Sequence, residues 1–171
     1  ADEQAILSVI GDEAGIAARY LDCGDLAGGI AVFKARVERW PQKADTHHWL
    51  GRLILADRQI ASALPHLERA VQLEPDADRF FWLGVAQGAN GKAKEERRSY
   101  QAAIRLDVRH ERAWTYLGHN YLESGERAAA LMSYDQALQI TPDNPQALYN
   151  RAAILQQQKQ PAKAREAWRN Y

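Results

Sequence analysis

The 171 residues include 46% hydrophobic and 26% charged side chains, the balance of an ordinary folded chain rather than of a disordered or membrane-embedded one. Twenty-two basic and 22 acidic side chains cancel, which removes the electrostatic footprint of a general nucleic-acid binder. Cys23 is the only cysteine, so no intrachain disulfide can form and the usual zinc spacings cannot be built. No stretch approaches the roughly 18 to 20 apolar residues of a membrane span, so no direct membrane insertion is expected. The compartment stays open between cytoplasm and periplasm. The chain begins at Ala1, as expected of a processed protein or a piece of a longer one.

In chain order, residues 2–9 read as a short leading helix. Residues 10–43 then carry Ile16, Ala17, Tyr20, Gly24, Gly29, Phe33 and Pro41. Residues 44–76 set Leu50, Gly51, Ile54, Ala63, Leu67, Ala70 and Pro75 in a matching register, and residues 77–110 do so with Phe80, Leu83, Gly84, Gly91, Tyr100 and Ala103. The fullest version lies in 111–144: Trp114, Leu117, Gly118 and Tyr121 follow W-x2-L-G-x2-Y, with Gly125, Ala130, Tyr134, Ala137 and Pro142 after them. Residues 145–171 repeat it incompletely with Leu148, Ala152, Leu155, Ala164 and Trp168, a second helix expected to be unfinished and followed by no polar capping helix.

Within each unit the apolar positions recur at intervals of three and four, as in Trp114, Leu117, Tyr121 and Leu131, Tyr134, Leu138, so each unit predicts two amphipathic helices. Gly51, Gly84 and Gly118 fall inside first helices, where glycine costs about 1 kcal/mol relative to alanine. Close approach of the second helix, with Ala63, Ala130 and Ala137 as its small surface, is the expected compensation. Turns such as Ala89-Asn90-Gly91-Lys92 and Glu123-Ser124-Gly125-Glu126 end first helices with glycine, and Thr141-Pro142-Asp143-Asn144-Pro145 separates one pair from the next.

This pattern resembles the tetratricopeptide repeat family over nearly the whole chain. The departures are Arg36 and Glu96 at usually small positions and Val108 at a usual proline. The resemblance implies an all-α, right-handed superhelical solenoid of about five helix-turn-helix repeats, forming one array over 1–171, with a concave groove lined by first helices. It carries His48, Trp49 and Arg52, then Phe81 and Trp82, then Arg112, Tyr116 and His119, and finally Tyr149 and Asn150 to groove-facing positions. Asp45, Asp78 and Thr115 take the same class of position. Aromatic residues and arginine dominate binding hot spots, although rings at helical spacing are more often core. Arg52, Arg112, His48 and His119 suit an acidic side chain or a terminal carboxylate. Asn150 and Arg112 occupy places used by the family's carboxylate clamp, but in the wrong order, which argues against a chaperone tail as ligand.

Catalytic chemistry finds no foothold. His47-His48 point about 100° apart on a helix and cannot easily share an ion, and no nucleophile elbow or phosphate-cradling loop occurs. No cofactor and no metal are expected. The sequence therefore predicts a non-enzymatic module that binds a peptide or protein, a scaffold or adaptor in a bacterial assembly or maturation complex. Two competing expectations are a homo-oligomer formed through the incomplete fifth repeat, and a docking arm of an enzyme whose catalytic domain lies outside the segment.

Overall fold

The computed structural model describes residues 12–157, 161–169 and 171; the leading helix expected over 2–9 lies outside them. The described residues form ten α-helices and no strand: α1 (Glu13–Cys23), α2 (Leu26–Arg39), α3 (Ala44–Ala56), α4 (Ile60–Leu73), α5 (Ala77–Ala89), α6 (Ala93–Leu106), α7 (Glu111–Glu123), α8 (Arg127–Ile140), α9 (Pro145–Gln157) and α10 (Pro161–Arg169). They cluster into two compact units that meet in sequence at Lys92 and Ala93.

Helix starts are fixed locally. Asp12, Asp25 and Asp76 each accept the backbone N–H three residues on, which satisfies a donor that has no partner inside the helix. Asn144 does the same for α9 and the His110 imidazole for α7. The turns between paired helices need one residue with positive φ. Gly91 and Gly125 supply it at 73° and 79°, but the α3–α4 turn uses Arg58 at 60°.

In the first unit, α1 to α5 enclose Phe33, Leu50, Leu53, Ala63 and Leu67, all without solvent exposure. Gly51 admits Leu67: a Cβ there would stand 2.6 Å from Leu67 Cγ. The close approach expected of this glycine is present, but its neighbour is a bulky leucine rather than an alanine. Arg36 is explained by a buried partner, since it and Lys43 hold the Glu13 carboxylate at 3.2 and 3.0 Å. Burial of that carboxylate is tolerable because two cations, of which Lys43 is also its hydrogen-bond donor, compensate its lost hydration.

In the second unit, Ala130, Tyr134, Ala137, Ala147 and Ile154 form a buried cluster backed by Trp114, Tyr121 and Leu138. The departure Glu96 also has a structural cause. Glu96 is buried and accepts from Asn120 Nδ2 at 2.8 Å, while Asn120 also donates to the Ala93 carbonyl and accepts from Arg97 Nε. Val108 is exposed, and its backbone carbonyl accepts from Trp114 Nε1 at 2.9 Å as a proline carbonyl would, so nothing in the structure explains the valine.

Candidate binding surfaces

In the first unit, helical spacing puts Asp45, His48, Trp49 and Arg52 on successive turns of α3, beside Asp78, Arg79 and Trp82 of α5. The Arg79 guanidinium is buried and gathers Asp45, Glu74 and Asp76 around it, the Asp45 contact at 2.6 Å joining α3 to α5. A second bridge joins His48 Nε2 to Asp78 Oδ2 at 3.4 Å. One turn further along, the Arg52 guanidinium lies 4.1 Å from the centroid of each of the Trp49 and Trp82 rings. A cation over two indole faces gains attraction from both ring quadrupoles, worth about 0.5–2 kcal/mol per contact.

Two sequence expectations need correction here. Phe81 is 0% exposed and meets Trp82 edge-on at 5.4 Å, so it supports the wall from behind and offers no surface. His48 is 4% exposed, edge-on to Trp49 at 5.2 Å, and its Nε2 is already engaged by Asp78. The cause is the same in both cases: each adjoins a larger indole, and the indole takes the half-exposed position.

In the second unit, Thr115, Tyr116 and His119 of α7 and Gln146 and Asn150 of α9 line an open cavity of about 400 Å³. Asn144 holds the two helices in place by donating to Glu111 Oε1, which also accepts from Thr115 Oγ1 at 2.8 Å. Tyr116 is half-buried and packs edge-on to Tyr100 at 5.8 Å, so one ring edge is anchored. His119 is exposed, with Glu123 at 3.8 Å. The cavity thus offers an aromatic edge, an imidazole, a hydroxyl and two side-chain amides, with no carboxylate among its lining residues. Arg112 is exposed one turn ahead of Tyr116. Tyr149 lies apart from this cavity, 49% exposed, in an aromatic trio with Trp168 at 5.5 Å and Tyr171 at 5.7 Å.

The expected residues therefore separate into two groups: His48, Trp49, Arg52 and Trp82 in one unit, Tyr116, His119 and Asn150 in the other. Arg79 and Gln146 were missed by the sequence reading. Gln146 was findable, since it lies four residues before Asn150 and so on the same helix face. Among the described residues no group of three histidine, cysteine or carboxylate side chains could hold a metal ion. No helix among them is long and apolar enough to cross a membrane.

A tetratricopeptide repeat family model matches residues 50–116, and a TPR repeat model matches residues 118–159. Anaphase-promoting complex subunit 3 of Schizosaccharomyces pombe is 31% identical over 109 residues, which are 63% of this chain and only 16% of that protein. Among solved structures, MamA superposes with a TM-score of 0.82 at 21% identity, covering 90% of this chain and 91% of MamA. YrrB, described as a TPR protein with an unusual peptide-binding site, gives 0.73 at 19% identity, covering 90% of this chain and 80% of YrrB. At such identities the likeness is one of fold, an all-α array of helix pairs.

Proposed function

The chain belongs to the tetratricopeptide repeat family, and from that premise we propose that it is a protein-interaction module whose second unit holds an extended peptide segment of a partner in the cavity between α7 and α9. The supporting observation is the chemistry of the lining. Amides of Gln146 and Asn150 both donate and accept, which matches an extended backbone, and the Tyr116 ring gives a side chain an apolar wall. YrrB, similar in fold, is a peptide binder by its description. The reading assigns the segment no reaction and places it as a scaffold or adaptor in a bacterial assembly or maturation complex.

The test is panning of a phage-displayed peptide library on the full chain, followed by titration of an enriched synthetic peptide. Tyr116→Ala and Asn150→Ala should each weaken binding about tenfold, with helical content unchanged. Failure to enrich any peptide, or affinities indifferent to both substitutions, would overturn the assignment.

A second reading is self-association through the aromatic trio Tyr149, Trp168 and Tyr171, whose rings lie 5.5 to 6.0 Å apart and partly exposed. Light scattering over a concentration series decides it. A monomer at the highest concentration, or a dimer unaffected by Trp168→Ala, removes it.

A further inference from the structure

The opposite face of α7 borders a second trough with different chemistry. At 100° per residue, Trp114, Leu117 and Tyr121 point about half a turn away from Thr115, Tyr116 and His119. They meet Ile104 of α6 and Met132 of α8 around an apolar trough of about 360 Å³. Met132 is 71% exposed although it is one of the largest apolar side chains of its helix. At its Gln101 end the trough continues into a polar depression of about 500 Å³ lined by Lys94, Arg97 and Arg98.

Charge is distributed unevenly along this surface. Lys94, Arg98, Gln101 and Arg105 are spaced by four, three and four residues, so they form one line along the 14-residue helix α6. Lys94, Arg98 and Arg105 are exposed and make no ion pair or hydrogen bond with any described side chain. Glu126 is the only carboxylate that lines either depression, and Arg97 neutralises it at 2.8 Å while stacking on Tyr121 at 4.4 Å. The chain as a whole is neutral, so this line of cations beside an apolar trough is a local feature and not a reflection of composition.

We propose that the trough between α6 and α8 docks an acidic amphipathic helix of a partner protein. Apolar side chains of that helix fill the space over Ile104, Leu117 and Met132, and its carboxylates face Lys94, Arg98 and Arg105. A rise of about 1.5 Å per residue places those cations roughly 6 and 10 Å apart along the axis, which a parallel-lying helix matches with acidic residues four and seven positions apart. Charge complementarity would set orientation and on-rate, and methionine's soft, flexible side chain suits a surface that must adapt to its occupant. Because α7 separates the trough from the peptide cavity, both can be filled together.

The probe is a fluorescein-labelled synthetic amphipathic peptide of roughly 16 residues, long enough to lie along α6, with Leu on one face and Glu in the matching register. Controls are the same peptide with Gln for Glu and a labelled single-stranded oligonucleotide. Anisotropy titrations on the full chain should show saturable binding of the Glu peptide, at least tenfold tighter than the Gln peptide and weakened by salt. Arg98→Glu combined with Arg105→Glu, and separately Met132→Asp, should each cost about tenfold or more, whereas Tyr116→Ala should change nothing. Should the double reversal lower helicity, Arg98→Gln with Arg105→Gln carries the same test. Equal binding of the Glu and Gln peptides, tighter binding of the oligonucleotide, or indifference to the charge variants would overturn the proposal.

Discussion

Gly118 of α7 lies against the ring of Tyr134 of α8 so closely that a Cβ at position 118 would stand 2.8 Å from Tyr134 Cε1. Tyr134 is fully buried, so its ring has no solvent-exposed space to yield into, and burial, followed by the Glu123 charge, pushes its hydroxyl up to about 12. Gly118→Ala should gain about 1 kcal/mol of helix propensity and lose about 1–3 kcal/mol to overpacking. Net destabilisation of up to about 2 kcal/mol is expected in urea unfolding. A cycle with Tyr134→Leu should show coupling above about 0.5 kcal/mol; additive effects would mean that the contact does not govern the glycine.

Asn120 is the hub of the buried polar network beside α6. Replacing it by leucine removes the bonds to the Ala93 carbonyl, Glu96 Oε2 and Arg97 Nε together. A buried group left without its partner costs about 1–3 kcal/mol, more when charged. Asn120→Leu should therefore lose at least about 2 kcal/mol, and adding Glu96→Ala should lose more, because the buried Tyr100 hydroxyl that also bonds Glu96 is then left without that partner. A loss well under about 1 kcal/mol for Asn120→Leu alone would show that these bonds are readily replaced, and the hub assignment fails.

The turn between α3 and α4 places Arg58 at φ 60°, where an L-residue is strained by about 1–2 kcal/mol. Glycine relieves that strain but costs about 0.5–1 kcal/mol in unfolded-state entropy. Arg58→Gly should raise stability by about 0.5–1 kcal/mol, and Gly125→Arg at φ 79° should lower it by a similar amount. Unchanged melting temperatures for both would show that these turns relax without strain.

The helix pairs were legible because each position of the pattern is a local requirement: an apolar stripe, a capping residue, a glycine at a turn. What each glycine accommodates was not, since the pattern gives spacing but not which side chain arrives from the opposite helix; alanine was expected and Leu67 and Tyr134 were found. Choosing between adjacent rings failed for a related reason. Phe81 and Trp82 differ by 100° of rotation on a half-buried face, and only their neighbours decide that phenylalanine goes inward and tryptophan stacks on Arg52. Arg36 and Glu96 stand in the sequence only as departures from the pattern because their partners, Glu13 and Asn120, lie 23 and 24 residues away.

The histidines show this distance effect most clearly. His47 adjoins His48 in sequence, but its structural partner is His66, with the two Nδ1 atoms 3.3 Å apart and the rings stacked at 5.5 Å. The Pro41 carbonyl can only accept, so His47 Nε2–H donates to it at 3.1 Å, and of the two facing Nδ1 atoms one carries the hydrogen and the other accepts it. Burial first, then the positive potentials of His47 and Lys34, hold His66 below its ordinary value of 6.5. A histidine depressed in the folded state binds its proton more readily once unfolded, so stability from this group is fully present above about 6.5 and declines as pH falls through that value toward the lower folded-state one. Urea midpoints measured from about pH 7.5 down to 5.5, above the range where most carboxylates titrate, should fall more steeply for the native chain than for His66→Gln. Parallel pH profiles for the two proteins would show that the pair contributes no proton linkage.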